Sequence, residues 1–273
     1  MHELHSEYHQ LKIPVSKEFE SVFTHFYYAE NNSSHPVTKT LLPSYQTIML
    51  FCFGEKAFMT TQEKTTVEVD RCIVLGPVRQ TFDYTLPAGT SILVANFKDD
   101  AFYRFFGKAM ISSQGIHPDE LLQDNCFTEL WHQISVLPSL EERINYILNF
   151  CKPYLQDQDQ TIRLLSNFAD NGLNPIKTIA EQTHQSERNI QRKQKEQFGY
   201  SSKELARYTR FLKAIMIIEK ELKSSKKIEW FSIIDECGYF DQSQLIHDFK
   251  HFITISPSQY VKFQKDICRS GSE

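Results

Sequence analysis

The stretch that most constrains the fold is Gly238-Tyr-Phe-Asp-Gln-Ser-Gln-Leu-Ile-His-Asp-Phe-Lys250, followed by Ser256-Pro257-Ser258-Gln259-Tyr260. Wound at about 100° per residue, it gathers Leu245, Phe249 and Phe252 on one side of a helix and Gln244, His247 and His251 on the other. One side packs and the other stays free to recognise something. Gly238 gives the backbone freedom that a tight turn between helices needs, and Asp241 or Ser243 can cap the following helix by accepting its free N–H groups. A turn, a short amphipathic helix and a capped stop make helix-turn-helix grammar, which points to DNA.

A weaker copy lies upstream. Ile179-Ala180, Thr183-His-Gln-Ser186, Ile190, Arg192 and Phe198-Gly-Tyr-Ser-Ser202 parallel Ile233-Ile234, Gly238, Ser243, Leu245, His247, Phe249-Lys250 and Ser256-Pro257. The turns differ in length between the copies. Between them, Lys203–Leu222 carries Leu205, Tyr208, Leu212, Ile215 and Leu222 as an apolar stripe, which predicts one continuous linker helix. At 1.5 Å per residue it spans roughly 30 Å, close to the ~34 Å of one DNA turn. Two recognition helices on one chain could thus enter successive major grooves.

Charge follows the same division. The net charge of −4 hides 12 Lys and Arg against 20 Asp and Glu in residues 1–160, and 18 against 14 in residues 161–273. Within Ser186–Lys227 the bias reaches 12 basic against 5 acidic residues, which suits a surface facing phosphates.

With 273 residues, 41% of them hydrophobic, the chain is long enough for two domains, and its 21 Phe argue against disorder. No apolar run of about 18 residues occurs, and the start lacks a basic region followed by an apolar one, so a soluble cytoplasmic protein is expected. The cysteines Cys52, Cys72, Cys126, Cys151, Cys237 and Cys268 form no Cys-x-x-Cys, and several sit in apolar runs. They read as buried free thiols, with no structural metal or cofactor.

Residues 12–98 are β-rich. Thr47–Phe53, Thr66–Val69, Arg71–Leu75 and Ser91–Phe97 are short β-branched or aromatic runs broken by Gly and Pro, implying a small antiparallel barrel or sandwich. From Asp99 the texture becomes helical, over Asp99–Met110, Pro118–Ile134 and Pro138–Tyr154. In the last, Leu140, Ile144, Ile147, Leu148 and Cys151 form a stripe that serves either a dimer seam or the domain's own core, and Ser139 with Glu142 forms a candidate capping box. The polar Gln156–Gln160 segment is the expected linker. The expected class is therefore α+β, with a regulatory domain in 1–156 (β-rich 12–98, helical 99–156) and an all-α domain in 157–273. The latter holds helix-turn-helix units at about 175–199 and 230–253, joined by a linker helix at 203–222.

Residues of about 160–265 resemble the DNA-binding domain of the AraC/XylS family of bacterial transcription regulators. The resemblance rests on Ile179-Ala180, Arg210 with Ala214 and Ile217-Ile218, Gly238-Tyr239, Asp241-Gln-Ser243, Phe249-Lys250 and Ser256-Pro-x-x-Tyr260. It implies seven helices carrying two helix-turn-helix units, and an N-terminal domain that binds an effector, a partner subunit or both. The chain departs from the family pattern at Gln194, Ser202, Ile234, His247 and Thr254.

With Ile190 inward, Arg188, Gln191, Arg192 and Lys195 project outward from the first recognition helix, which Ser186 can cap. Arg can fork onto guanine and Gln onto adenine, so Arg188, Gln191 and Arg192 are candidate base readers, and the resemblance implies that all three positions face the bases. On the second helix the readers would be Gln244 and His247. Lys195, Lys250 and His251 would sit nearer the phosphates, as would helix N-termini near Thr178 and Trp230–Ser232. Imidazole has no bidentate fork, so the second unit should contribute less specificity.

The rival chemistry in this segment is His247-Asp-Phe-Lys-His251, two histidines at i and i+4 with an acid between, the spacing of a helical zinc-hydrolase site. Such a site needs a longer base and a third ligand. No phosphate loop, nucleophile elbow or Cys/His pairing stands out elsewhere, so no enzyme activity is expected. A helical protein-interaction module without DNA binding is the other reading. Expected partners are double-stranded DNA and RNA polymerase, with a second copy of the chain and a small-molecule effector as candidates for the N-terminal domain. An effector pocket would draw on Phe51, Phe53, Phe58, Phe82 and Tyr84.

Overall fold

Nine strands, β1 (Tyr8–Pro14), β2 (Phe23–Asn31), β3 (Val37–Leu41), β4 (Ile48–Phe53), β5 (Ala57–Thr60), β6 (Thr66–Val69), β7 (Cys72–Leu75), β8 (Phe82–Leu86) and β9 (Thr90–Phe97), open the fold. The structure is a computed structural model that describes residues 7–109, 115–168, 174–224 and 227–270, the last six of these by backbone alone. Met110, at the end of the helical segment expected over Asp99–Met110, lies outside the described residues. The strands form two antiparallel sheets, ordered β1-β2-β9-β4-β7 and β3-β8-β5-β6. The long runs read from the sequence fall at the centre of the first sheet, where β9 pairs with β2 and β4, Ser91 opposing Glu30 on one side and Phe53 on the other.

Every residue of β4 and β9 is buried. The reason is that both faces of this sheet are covered, so a continuous apolar run replaces the alternation of a half-exposed strand. One face meets the second sheet through Ile48, Leu50, Ile92 and Val94 against Met59, Tyr84 and Leu86. The other face, with Phe26, Met49, Phe51, Leu93 and Phe97, packs under the helices that follow. At the edge of the inter-sheet core the hydroxyls of Tyr8, Tyr27 and Tyr84 share hydrogen bonds of 2.8–3.4 Å.

Those helices are α1 (Ala101–Phe106), α2 (Pro118–Leu122), α3 (Cys126–Ser135) and α4 (Leu140–Cys151). The single helix expected over Pro118–Ile134 is broken at Gln123, which takes a left-handed conformation at φ 55°. Asp119 then caps the restart, accepting from the Phe127 and Thr128 N–H groups at 2.7 and 3.1 Å. The Ser139/Glu142 capping box forms. Ile144, Ile147, Leu148 and Cys151 are buried against the sheet, so this stripe belongs to the core of its own domain and not to a dimer seam. Trp131 in α3 donates its indole N–H to the Cys52 carbonyl at 2.7 Å and stacks on Phe53 at 6.4 Å.

The remaining helices are α5 (Gln160–Ser166), α6 (Pro175–Thr183), α7 (Glu187–Phe198), α8 (Ser202–Lys223), α9 (Trp230–Cys237), α10 (Gln242–Ile253) and α11 (Pro257–Ser270). Two compact units result, Met1–Ser201 and Ser202–Glu273, with the first helix-turn-helix inside the former. The polar segment expected as a linker is fastened: Gln158 donates to the buried Asp100 carboxylate at 2.7 Å, and Arg104 donates to the Gln156 and Ser21 carbonyls. Among the described residues no helix is long and apolar enough to cross a membrane.

Candidate nucleic-acid interface

The first helix-turn-helix is built on α6, a turn through His184, and α7. Asn174 caps α6 by accepting from the Ile176 and Lys177 N–H groups, and His184 turns the chain at φ 52°. Ser186 caps α7 by accepting from Asn189 N–H, as its hydroxyl and position led one to expect. Ile176, Ile179, Ala180 and Ile190 close a small core against Leu164, Leu165 and Phe168 of α5 and its end. Gln194 is also buried, filling the inward position where the family pattern has an aromatic. With the inward face spent on Ile190, Gln194 and Phe198, α7 leaves Arg188, Gln191, Arg192 and Lys195 together on its exposed face. Arg192 is tethered along the helix, donating to Glu196 at 3.1 Å and to Asn189 at 3.0 Å. Lys193 turns the other way, into an ion pair at 2.8 Å with Asp159, the cap of α5.

Thr178 is not at a helix N-terminus. It lies a turn inside α6, its N–H and hydroxyl both donating to the Asn174 carbonyl, so it has no spare N–H for a phosphate. The first turn of α9 differs, since no side chain caps it. Its N–H groups near Trp230–Ser232 keep the anion-binding capacity of a bare helix start.

The second helix-turn-helix comprises α9, a turn and α10. Gly238 takes the left-handed conformation at φ 73° and Asp241 caps α10 by accepting from Gln244 N–H at 2.8 Å. Leu245, Phe249 and Phe252 are fully buried, with Phe211 of α8 set against Phe249 and Phe252 at 5.1 and 4.7 Å. That contact fixes the inward face of α8 as Tyr208, Phe211, Ala214 and Ile218. Leu212, placed on the apolar stripe from sequence spacing, is exposed instead. The α10 aromatics draw the phenylalanine inward, and its neighbour rotates out.

The outward side of α10 is partly occupied. The Gln244 amide oxygen accepts from Phe240 N–H at 2.9 Å, completing a reciprocal cap that leaves only its NH2 free. His247 is exposed, and its Nδ1 lies 3.0 Å from an Arg207 guanidinium nitrogen. A guanidinium only donates, so Nδ1 accepts and the proton sits on Nε2, facing out as a single donor. Lys250 is exposed, whereas His251 is half-buried with its ring 4.8 Å from Phe252. Burial, with Arg207 nearby, lowers its pKa, which leaves the imidazole neutral and poorly suited to a phosphate.

Asp248 settles the role of the acid between the histidines. It is 1% exposed and clamped by Arg207 at 2.5 Å and Arg210 at 3.0 Å. A carboxylate held by two guanidiniums inside the core is no general base, and among the described residues no group of three His, Cys, Asp or Glu is placed to hold a metal.

One pairing escaped the sequence. Cys72 Sγ lies 3.1 Å from His117 Nε2, and His117 Nδ1 lies 3.5 Å from Asp119. Burial first, and the Asp119 carboxylate second, push the Cys72 thiol up to about 12, so it stays protonated, and Asp119 is spent on capping α3. The trio is structural. It is assembled across 45 residues by a lone β-bridge between Val74 and Ile116, and no local spacing announces it. The aromatics expected to line one effector pocket separate as well: Phe51 and Phe53 face the helices, Phe82 and Tyr84 the inter-sheet core.

No family model and no curated protein matches the chain. Among solved structures it is similar to ToxT from Vibrio cholerae, at 14% identity over 94% of this chain and 98% of that one, with a TM-score of 0.40. It is similar also to ToxT bound to (E)-4-(8-methylnaphthalen-1-yl)but-3-enoic acid, at 13% identity over the same shares and a TM-score of 0.40. An RmlC-like cupin protein from Desulfovibrio desulfuricans matches 36% of this chain and 94% of its own at 10% identity and a TM-score of 0.26. Likeness of this order says nothing of what the present chain binds.

Proposed function

We propose that this chain is a sequence-specific DNA-binding transcription regulator of the AraC type, whose N-terminal β-rich part sets its activity. The observation that carries this reading is the exposed row Arg188, Gln191, Arg192 and Lys195 on a capped helix whose other face is fully spent on packing. Base-edge readers and a phosphate-facing lysine share one accessible strip of the kind that enters a major groove. The second unit adds the single outward donor of His247, the free NH2 of Gln244, and Lys250. The 22 residues of α8 measure roughly 33 Å, which suits two recognition helices one DNA turn apart. RNA polymerase, a second copy of the chain and a small-molecule effector complete the proposed partners.

Selection of genomic fragments by the purified chain, followed by binding at increasing salt, tests the reading. Affinity should fall steeply with salt as phosphate counterions return. Arg192→Ala should relax base preference at one half-site at a cost of about 1–3 kcal/mol, while Lys195→Ala should weaken all duplexes alike and flatten the salt slope by about one. An unchanged sequence preference for Arg192→Ala would refute its assignment. Absence of any salt-dependent duplex binding would favour a protein-interaction module.

A further inference from the structure

We infer that the cavity at one end of the helix-facing side of the first sheet is a binding site for a free α-amino acid, held between Arg143 and Glu30. The inference stands apart from the DNA-binding reading. Helices α1, α3 and α4 cover most of that face; at its end the cross-strand row Glu30, Ser91 and Phe53 runs from a half-buried Glu30, with half-buried Tyr28 beside it, to a Phe53 already under α3. Across from the row stands the start of α4, which contributes Arg143, and between them is a cavity of about 370 Å³. That volume is at the small end of the roughly 300–1,000 Å³ range of small-molecule sites.

The mouth is kept open by the backbone. Gly54 sits at φ 85°, and a Cβ there would come 2.2 Å from the Gly89 carbonyl oxygen. A side chain at Gly54 would therefore force the rim apart.

The chemistry of the walls is specific. Arg143 donates its Nε–H to the Leu137 carbonyl at 3.2 Å, and its guanidinium lies 4.5 Å from the centre of the Phe53 ring. The ring and the carbonyl fix the plane of the fork, which leaves the terminal nitrogens for a carboxylate. On the sheet side Ser91, Tyr28 and Glu30 line the wall together. Burial raises the Tyr28 pKa and keeps it a neutral donor. Glu30 and Arg143 line the same cavity without forming a salt bridge with each other. A lone anion would meet Glu30 and a lone cation would meet Arg143, whereas a ligand carrying both charges satisfies each. An α-amino acid places its carboxylate on Arg143 and its ammonium on Glu30. The bound molecule would join the sheet to the start of α4.

Thermal unfolding of the full chain with millimolar L-amino acids, each alongside the matching amine lacking the carboxylate and the matching acid lacking the ammonium, tests this. At least one amino acid should raise the unfolding midpoint by several degrees, with neither matched compound doing so, since a ligand bound only to the native state stabilises it. Glu30→Gln and Arg143→Gln should each abolish the shift. Glu30 is on the rim and its variant should unfold like the wild type without ligand, so it decides the matter even if Arg143→Gln folds poorly. The proposal is overturned if no amino acid shifts the midpoint, if an amine or acid alone does so equally, or if Glu30→Gln responds like the wild type.

Discussion

Arg192 and His247 show how residue identity and residue availability differ. Arg192 has the fork to read guanine, yet in the free protein it is tied to Glu196 and Asn189, and binding must exchange those bonds for base contacts. His247 offers one outward donor because Arg207 holds its other nitrogen. Residue-scale strain appears at Thr254, where the family pattern has glycine: it ends α10 at φ 64°, with its hydroxyl donating to the Ile253 carbonyl at 2.6 Å. A β-branched residue in left-handed backbone costs roughly 1–2 kcal/mol, part of which glycine returns as chain entropy. Thr254→Gly should therefore stabilise the second unit by about 1 kcal/mol, measurable as a higher denaturant midpoint with unchanged slope. A Thr254→Gly chain less stable than wild type would show that the hydroxyl contact outweighs the strain.

At the scale of elements, α10 is held to α8 by an aromatic seam and by Asp248 between Arg207 and Arg210. Asp248→Ala would leave two guanidiniums without their buried counterion, and breaking such a pair costs about 3–5 kcal/mol. Cooperative unfolding of this unit, followed by amide exchange in α8 and α10, should report a loss of that size. In the first unit, Asp159 caps α5 and pairs with Lys193 of α7. Burial alone would raise its pKa, but the Lys193 ammonium and the Ile162 and Thr161 N–H groups outweigh it and the net shift is downward. The stabilisation is thus present above the ordinary value of 3.8 and is lost as pH falls through the lowered folded value. Asp159→Asn should remove that acid-side dependence, an effect below about 1 kcal/mol because the pair is partly exposed. Elements were legible in the sequence wherever a cap or period was local, as with Ser186, Asp241, Ser139 and the apolar face of α10. What was not legible came from long-range packing. Leu212 turns out because Phe249 and Phe252 claim Phe211, and the His117 and Cys72 contact depends on a bridge between distant segments.

At the scale of the molecule, the first helix-turn-helix is anchored to the β-rich part of its own unit. Arg79 donates to the Gly199 carbonyl that ends α7, and Tyr45 meets Tyr200 edge to face at 5.3 Å. Arg188, Gln191, Arg192 and Lys195 stay exposed with both contacts in place. Composition and charge suggested a boundary near residue 156, but they register where polarity changes and not where a tyrosine is buried. Removing residues 1–156 would strip the cover from Tyr200, so α6 and α7 should exchange amide hydrogens faster in the truncated chain than in the full one. Arg79→Ala should move exchange in the same direction by a smaller amount, and protection equal to the full chain in both would show that the first helix-turn-helix stands alone. The chain's two tryptophans fall one to each compact unit, Trp131 in α3 and Trp230 at the start of α9. Emission from a Trp230→Phe chain would therefore come from an indole stacked on the Phe53 ring alone, an internal optical reporter for events on that sheet while the other unit stays dark.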